Sequence, residues 1–459
     1  MRRAAVGAAG VLASGAADSG ANVAHSSGFR LATFSADVTP PQGHPCMGGG
    51  IAPVERIEDP LFARGWVLLG PEPPIVCVAV DWCEIRNDAY DRWRGALAEA
   101  AGTTRERVLV CSVHQHDAPV ADLTAQRILE EHHCAGSICN LAFHEQTVLR
   151  VAEALREGLQ GARPVTHLGL GQGKVERIAS NRRFLDANGR PTFGRTSASR
   201  DPSAHEAPEG TIDPWLRTLS FWDGSQAVAA LSCYATHPMS YYGRGGTSSD
   251  FVGFARQRRQ AEDPAVFQIY ASGCSGNVTA GKYNDGSPQN RLVLCQRLYE
   301  GMTAAWRMTR RVALRSAHFT SVPLVFEPRS SPGFTEAELR AQLDESAKPF
   351  RQCLAAMGLS WRQRVGRDQP IDVPVIDFGA ACLVLAPAEA YVEFQLLAQQ
   401  LRPDAFVVVL GYGECAPGYI PIERAWQEGD GNLADWCWVS PGAERAMTAA
   451  LERTLRRGR

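Results

Sequence analysis

The sequence predicts an α/β protein with a mixed β-sheet core flanked by helices, in a single large domain. Apolar runs of strand length alternate with amphipathic stretches of helical spacing, and an early strand–helix–strand unit indicates parallel pairing. No internal repeat or low-complexity linker divides the chain. The composition, 45% hydrophobic and 21% charged, is ordinary for a globular protein, and 459 residues can bury a large core without disulfide bonds.

The first elements build the strand–helix–strand unit. Alternation in "FRLATFSADVTPP" predicts a strand that ends at Pro40–Pro41. A buried strand, "PIVCVAVDW", follows and ends at Asp81; the helix "DAYDRWRGALAEAAG" stops at a glycine, and "RVLVCSV" is the next buried strand. Polar residues at the ends of such strands are expected in a cleft beyond the sheet.

The rest of the chain continues the alternation. The predicted elements are an amphipathic helix over 144–161, a strand pair in "RPVTHLGLGQGKV", a long loop over 183–214, strands ending at His237 and in "VFQIYASGC", a helix over 291–309, a helical insertion opened by a Thr–Glu cap in "GFTEAELR", a strand–turn–helix in "AACLVLAPAEAYVEFQLLAQQLRP", a strand in "AFVVVL", and a final helix.

Charge and cysteine usage exclude several classes of protein. The formal net charge is -2, and the sequence has no basic cluster of the kind that binds nucleic acid. The 13 cysteines are odd in number, sit singly and form no CxxC pair, so we expect free thiols rather than a disulfide framework. No run approaches the roughly 18 apolar residues that a membrane span needs.

Residues 1–29 are expected to be a leader. Two arginines, an Ala/Gly-rich apolar stretch and then small residues have the outline of a secretory signal, and a disordered leader fits as well. Residues 30–459 are expected to form the folded domain.

Two histidines, His114 and His116, follow the apolar run 108–113 in "RVLVCSVHQHDAP". Residues i and i+2 of a strand face the same side, so both rings would enter one site if the strand reaches that far. One could then bind a metal while the other acts on the substrate or on a bound water. By spacing alone, such a pair more often has a structural role.

Two further candidates end apolar strands. His237, in "CYATHPM", precedes a proline; Glu389, in "APAEAYVEFQ", stands where a strand breaks and a helix begins. His and Glu are zinc ligands, although an acid at a helix N-terminus can simply be a favourable charge.

Two Gly-rich loops complete the candidates. In "GYGECAPGYIPIERAW", Tyr412 and Tyr419 are expected to pack their rings, a phenolate ligand being the rarer role. In "ASGCSGNVTAGKYNDG", successive N–H groups could cradle an anion or oxyanion, but a plain tight turn fits too. Cys274 in that loop would be a nucleophile only with a histidine in reach.

Taken in order, these motifs resemble the catalytic domain of the neutral/alkaline ceramidase family. The resemblance spans roughly Phe34 to Trp438 and is carried by the motifs "SADVTPP", "EDPLFARGWVL", "CSVHQHDAP", "ASNRRF", "YATHPMS", "SSDFVGFAR", "GNVTAG", "APAEAYVEF" and "GYIPIERAW". The resemblance implies a zinc-dependent amidase domain with a mixed-sheet core.

Site roles follow from the resemblance residue by residue. It implies that Zn²⁺ is bound by His114, His237, Glu389 and Tyr419, and that His116 is the catalytic histidine that does not bind the metal. Arg182 matches a substrate-contacting arginine of the family, with Arg183 one residue away as the alternative. Backbone N–H groups near Asn277 to Thr279, or Arg182, would stabilise the oxyanion.

The sequence also departs from the family. The family motif Gly-Asp-Val-Ser-Pro around its proposed nucleophile reads "GNVTA" here, so Asn277 replaces Asp and Thr279 replaces Ser. The histidine pair reads His-Gln-His instead of His-Thr-His. The C-terminal immunoglobulin-like domain of the family is expected to be absent.

The predicted activity is zinc-dependent hydrolysis of an amide bond, in N-acylsphingosine or a related N-acyl substrate, by metal-activated water. The alternatives are a zinc esterase, lactonase or small-amide hydrolase of a non-lipid substrate, a catalytically inactive binding relative, and a cysteine hydrolase that uses Cys274. The expected partner is a small-molecule or lipid N-acyl substrate. The resemblance and the leader favour a secreted or periplasmic location; the free thiols favour the cytoplasm.

Overall fold

The chain contains three β-α-β units. Each unit contributes the parallel strand pair of one of the three larger sheets. The computed structural model describes residues 28–456. The predicted leader therefore lies almost entirely outside the described residues. The mixed α/β class predicted from the sequence is confirmed.

Within residues 28–456, the sheets contain thirteen strands of four residues or more. Their bounds are Arg30–Asp37 (β1), Phe62–Leu69 (β2), Ile75–Val80 (β3), Val108–Ser112 (β4), His167–Lys174 (β5), Trp215–Asp223 (β6), Gln226–Tyr234 (β7), Phe267–Ser272 (β8), Arg310–Ala313 (β9), His318–Leu324 (β10), Ile371–Asp377 (β11), Ala381–Leu385 (β12) and Phe406–Leu410 (β13).

Two-residue ladders pair the loops between these strands. The ladders join Arg56–Ile57 to Gly246–Thr247, Glu84–Ile85 to Val120–Ala121, Ser180–Asn181 to Val278–Thr279, Phe184–Leu185 to Pro191–Thr192, and Glu389–Ala390 to Tyr419–Ile420. A short strand, Arg163–Pro164, borders β1.

The helices cover the sheets. Their bounds are Asn87–Ala101 (α1), Leu123–Glu131 (α2), Leu141–Gln160 (α3), Pro202–Glu206 (α4), Asp250–Glu262 (α5), Pro288–Arg307 (α6), Glu336–Glu345 (α7), Pro349–Gly366 (α8), Val392–Leu401 (α9), Glu423–Gln427 (α10) and Ala443–Leu455 (α11). None of the helices in residues 28–456 has the length and apolar character needed to cross a bilayer.

The first sheet has the order β4-β3-β2-β1, the second β8-β7-β6-β5-β9, and the third β10-β11-β12-β13. The parallel pairs are β3 with β4, β7 with β8, and β12 with β13, joined by α1, α5 and α9. Since the strands of a parallel pair end at the same edge, each unit delivers two loops to one place.

Side-chain alternation along β3 shows how the layers are arranged. Val76, Val78 and Val80 pack into one apolar core, while Ile75, Cys77 and Ala79 pack into a second. Because both faces of this strand are covered, its sequence is a continuous apolar run, as expected for parallel strands between two layers.

Local signals set several boundaries as the sequence predicts. Helix α1 ends at Gly102, which has a φ of 66°, a conformation that favours glycine. The predicted Thr–Glu cap is present: the Thr335 side chain accepts from the Glu338 backbone and the Glu338 carboxylate caps Thr335 in return. The helical insertion forms two helices, α7 and α8.

The sequence analysis missed five strands: β2, β6, β9, β10 and β11. The β6–β7 hairpin turns at Gly224–Ser225, where Gly224 has a φ of 56°, a conformation that favours glycine. The predicted loop over 183–214 is largely irregular but holds a two-residue hairpin and α4. All 13 cysteines are free and all but Cys134 are buried, as predicted.

Candidate metal and catalytic site

His114 lies beyond the end of a strand rather than on it. Strand β4 ends at Ser112, and His114 has a φ of 76°, so strand alternation does not explain how His114 and His116 face one site. The condition that the strand extends to these residues is therefore not met. The turn still brings the two rings together, with centroids 5.3 Å apart.

The strained turn recurs at two other strand ends of the site. Ala388, after β12, has a φ of 50°, and Tyr412, after β13, has a φ of 56°. A left-handed conformation in a non-glycine residue costs roughly 1–3 kcal/mol and concentrates at functional sites. Here each such residue lies at or beside a side chain that enters the site.

His114 and His237 converge on a single oxygen atom. The Nε2 atom of His237 lies 2.9 Å from Oε2 of Glu389, and Nε2 of His114 lies 3.3 Å from the same oxygen. All three side chains are buried. The structure thus brings together two strand ends and the β12–α9 turn, as the sequence predicts.

The opposite ring nitrogens are anchored to the main chain. The Nδ1 atom of His114 lies 2.9 Å from the carbonyl oxygen of Cys83, and Nδ1 of His237 lies 2.6 Å from that of Ser275. A carbonyl only accepts, so each Nδ1 carries a proton, and in the neutral ring each Nε2 is left with a lone pair.

This tautomer provides a test of whether a metal fits. Arg182 Nη2 also donates toward His237 Nε2 at 3.1 Å, which again makes that nitrogen an acceptor. With both rings neutral, two acceptor nitrogens face an acceptor carboxylate oxygen. Burial opposes protonation of His114 but Glu389 raises its pKa, so a proton on His114 relieves this conflict as a metal cation would. Ring N–H groups bound to carbonyls are typical of metal-ligating histidines, and on that ground the three atoms fit a metal.

Tyr419 lies beside the carboxylate because its strand pairs with that of Glu389. The ladder sets Glu389 opposite Tyr419 in parallel register. The hydroxyl of Tyr419 accepts a hydrogen bond of 2.8 Å from Arg182 Nη1. Burial raises the pKa of Tyr419 well above its ordinary value, and the nearby Arg182 acts in the opposite direction.

The pKa shifts reflect burial and the shared carboxylate. Burial and the Arg182 charge lower the pKa of His237 to about 4. Burial opposes ionisation of Glu389, but His114 and His237 hold the pKa of this carboxyl well below its usual range. Glu389 is therefore the anionic centre of the site.

His116 stands at the edge of this cluster. Its ring centroid lies 6.2 Å from that of His237 and 4.8 Å from that of Tyr242, and its Nδ1 has no hydrogen-bond partner in the described chain. Burial, followed by the two neighbouring histidines, lowers its pKa well below the ordinary value. Donor atoms of His114, His116 and His237 lie within 4.8 Å of one another, so distance alone also permits a three-histidine ligand set.

Tyr412 packs against His114, as its place in a Gly-rich loop predicted. The two rings stack with centroids 4.1 Å apart and planes 19° apart. The Tyr412 hydroxyl bonds to Ser275 Oγ at 2.7 Å. Tyr412 thereby fixes one face of the candidate ligand His114.

Glu84 is a buried acid that the sequence analysis missed. Its Oε2 accepts from Arg86 at 2.6 Å and its Oε1 from Trp436 Nε1 at 3.0 Å. Its ligand atom lies within 4.8 Å of those of His114 and Glu389. Burial raises the pKa of Glu84 to about 6, against the effect of Arg86. The signal was present, because Glu84 follows the buried strand β3.

In the loop over 273–281, for which the sequence allowed an anion cradle or a plain tight turn, several N–H groups are engaged within the chain. Gly273 donates to Tyr234 O, Cys274 to Gln395 Oε1, Gly276 to Ala390 O and Val278 to Ser275 O. Gly276 is required by close approach, since a Cβ there would lie 2.1 Å from the Glu389 carbonyl oxygen. This glycine therefore lets the Glu389 turn pack against the loop.

The Asn277 and Thr279 side chains are engaged away from the ligand cluster. Asn277 Nδ2 donates to Glu393 at 2.8 Å and its Oδ1 accepts from Val392 N at 2.9 Å, so it caps α9. Thr279 Oγ1 donates to Thr196 O at 2.8 Å. Neither residue lines the cavity described below.

Cys274 does not have the surroundings of a nucleophile. The residue is fully buried in the apolar core, and burial raises the pKa of its thiol to about 12. A cysteine nucleophile acts as a thiolate, which this environment disfavours.

A cavity of about 250 Å³ opens beside the cluster. Its walls include the site residues His114, His116, Glu389 and Tyr419, and the further side chains Met47, Cys83, Phe350, Asn432, Asp435 and Trp436. Ligand-type side chains therefore lie at the surface of a cavity that a small molecule can enter.

Arg182 and Arg183 have different surroundings. Arg182 is buried among Tyr419, His237 and Asn432, whereas Arg183 pairs through two nitrogens with the carboxylate of Glu428. Of the two arginines considered from the sequence, Arg182 is the one at the candidate site.

Similarity to known proteins is found at the level of the fold. No family model and no curated protein matches this chain. Two solved structures have similar folds: a neutral ceramidase from Pseudomonas aeruginosa, with a TM-score of 0.68, 17% identity and coverage of 93% of this chain and 74% of that chain, and a ceramidase complexed with C2, with a TM-score of 0.69, 17% identity and coverage of 93% and 75%. The chain therefore has the fold of neutral ceramidase.

Proposed function

We propose that this chain is a member of the neutral ceramidase family and a zinc-dependent amidohydrolase. The observation that carries the proposal is the convergence of two imidazole nitrogens, in His114 and His237, on one oxygen of Glu389. The ceramidase fold and the ordered sequence motifs support it.

The proposed zinc ligands are His114, His237, Glu389 and Tyr419. When bound, Zn²⁺ polarises a carbonyl and lowers the pKa of a water molecule toward roughly 7. The contribution of the chain is to hold the four donors in place: Cys83 and Ser275 carbonyls orient the imidazoles, and Arg182 orients the phenol oxygen.

The proposed proton carrier is His116. Its Nδ1 has no hydrogen-bond partner in the described chain, so His116 can accept a proton there. It lines the cavity beside the proposed ligands, where it can pass that proton to the leaving amine. A proton carrier must lie where the substrate can reach it, and a histidine in the apolar core does not.

The proposed oxyanion stabiliser is Arg182. Its guanidinium is buried next to Tyr419 and His237, and Glu389 and Tyr419 support its charge by raising its pKa despite burial. The alternative, backbone N–H groups of the 277–279 segment, is weakened by the bond from Val278 N to Ser275 O. A fixed cation next to developing negative charge lowers the barrier in a site that excludes water.

We propose that water, rather than Thr279, attacks the carbonyl. The Thr279 hydroxyl donates to a main-chain oxygen and no histidine accepts its proton in the described chain. An activated hydroxyl nucleophile needs an adjacent base.

Metal analysis combined with hydrolysis assays tests the function. The purified full chain should hold one zinc per molecule, lose its activity on N-acyl amines when the metal is chelated, and regain it with added zinc. Matched N-acyl and O-acyl compounds separate an amidase from an esterase. A chain that holds no zinc, or whose activity survives chelation, would contradict the proposal; zinc without any turnover would indicate a binding relative.

A further inference from the structure

The cavity beside the proposed zinc ligands is small for a lipid. At about 250 Å³ it lies below the roughly 300–1,000 Å³ of pockets that enclose drug-sized ligands. A ceramide with two long alkyl chains would leave most of its carbon outside such a cavity. Each methylene left in water forgoes the favourable transfer that binding could supply.

The surface around the cavity does not offer an apolar area that could cover the alkyl chains left outside it. The exposed large apolar side chains in the described chain are Ile57, Leu149, Leu185, Trp215, Leu292, Val293, Met308 and Val325. None of them lines the cavity. Membrane-binding or lipid-binding sites are marked by contiguous apolar surface, and here the outer wall carries Asn432 and Asp435 instead.

Two aromatic side chains form one wall of the cavity. Phe350 and Trp436 stack with centroids 6.3 Å apart and planes 22° apart. Phe350 belongs to the first turn of α8, in the helical insertion, and Trp436 is fixed because its Nε1 donates to Glu84. The insertion thus limits the size of the cavity through Phe350.

A carboxylate without a partner stands next to this wall. Asp435 is half-buried and makes no hydrogen bond or ion pair within residues 28–456. It lines both this cavity and a neighbouring one of about 370 Å³, where Arg351 also lies without pairing to it. Aromatic faces and a free carboxylate together favour a cation.

We propose that the site accepts a compact, water-soluble N-acyl compound carrying a positively charged group, with Asp435 and the Phe350–Trp436 wall as its specificity determinants. The inference rests on the proposed hydrolase function and names its substrate class. Long-chain N-acyl lipids are excluded by Phe350, and short neutral amides lack the group that Asp435 would bind.

Three substrates test this inference in the full-length zinc enzyme: N-(3-aminopropyl)acetamide, its neutral isostere N-butylacetamide, and N-butylhexadecanamide in mixed micelles. We expect kcat/KM to be highest for the ammonium compound. Asp435→Asn should reduce that value by about 10-fold and leave the isostere nearly unchanged. Phe350→Ala, with Phe350→Leu as a milder variant, should increase turnover of the long-chain amide, whereas Phe334→Ala, which lines only the neighbouring cavity, should not.

Outcomes that contradict the inference are distinct from failure of the proposed function. Preference of the unaltered enzyme for the long-chain amide, or equal losses on both short amides in Asp435→Asn, would overturn the inference. Calorimetric binding of the short pair to a His116→Ala variant removes the dependence on turnover: tighter binding of the ammonium compound supports the inference even if no hydrolysis is found, and equal Kd values overturn it. Absence of hydrolysis alone counts against the proposed function.

Discussion

Arg182 donates a hydrogen bond of 2.8 Å from Nη1 to the hydroxyl oxygen of Tyr419. Replacing Arg182 by Lys retains the charge but loses the planar fork that reaches Tyr419 and His237 together. We expect kcat to fall about 10²–10³-fold, the scale for removing one oxyanion donor, with zinc content unchanged. Steady-state kinetics and metal analysis on the same preparation check this.

The matched control for Arg182 is Arg183→Lys. Arg183 pairs with Glu428 and makes no hydrogen bond or ion pair with the proposed ligands in the described chain. Near-normal kinetics are expected. If both variants lost activity equally, the effect would come from the loop as a whole rather than from the Arg182 guanidinium.

Alanine substitutions of the two histidines in the His-Gln-His motif should have different effects on zinc binding and on rate. His114→Ala removes a proposed ligand and should abolish zinc binding, while His116→Ala should keep zinc and lose rate. Zinc content after dialysis and kcat at saturating zinc measure the two effects independently. His318→Ala, at an exposed position, is the control. Equal loss of zinc in both variants would instead favour the three-histidine ligand set.

Thr279 should be dispensable for the chemistry. Thr279→Val removes the hydroxyl that bonds to Thr196 O and accepts from Gly281 N, so the free energy of unfolding should fall by about 1–3 kcal/mol. Turnover should stay within a few-fold of normal, as should that of Thr279→Ser. A loss near 10⁴-fold in the valine variant, restored by serine, would identify a nucleophile.

Three residues of the candidate site could be predicted from their positions, because His114, His237 and Glu389 each follow a buried strand and parallel pairing gathers such strand ends at one edge. Glu84 was missed because it lies beyond Asp81 rather than directly at the end of the apolar run. What could not be predicted was the path of the chain there. Strand alternation fails for His114, since a left-handed residue redirects the backbone, and no periodicity signals such a residue in advance.

The fold was predictable where apolar runs are continuous, and less so elsewhere. Strand β11 and its partner β10 carry polar or proline residues among apolar ones, as in "IDVPVID" and "HFTSVPL", so no clean pattern separates them from loops. The role of Asn277 also depends on tertiary packing, because the helix that it caps lies more than a hundred residues later in the chain.

Asp81 shows that an acid at a strand end can be structural. Both of its oxygens accept from Arg256, at 2.7 Å each, and Oδ2 also accepts from Phe62 N. Asp81→Asn leaves a buried guanidinium unpaired and should cost about 3–5 kcal/mol of unfolding free energy, measured by urea denaturation. Glu336→Gln, in an exposed pair with Arg340, should cost less than about 1 kcal/mol. A loss of zinc in a folded Asp81→Asn variant would contradict this structural role.

Glu414 should make stability depend on pH. It is buried, with Oε1 bonded to two backbone N–H groups and Oε2 3.5 Å from Arg364. Burial, partly offset by Arg364, raises its pKa from 4.5 to about 7. Between these values the folded state holds more protons than the unfolded state, so this group lowers stability as pH rises through the window. From pH 5 to pH 8 its contribution should fall by about 2.5 kcal/mol.

Glu414→Gln isolates that contribution. The amide resembles the protonated acid and keeps an oxygen for the Asn87 and Ala416 N–H groups, so the variant should lose about 2.5 kcal/mol less than the unaltered chain between pH 5 and pH 8. Glu157→Gln, at an exposed position, should follow the unaltered chain. Urea unfolding at the two pH values measures both. Parallel pH profiles for Glu414→Gln and the unaltered chain would mean that Arg364 keeps this carboxyl ionised throughout the window, so that burial does not control its protonation.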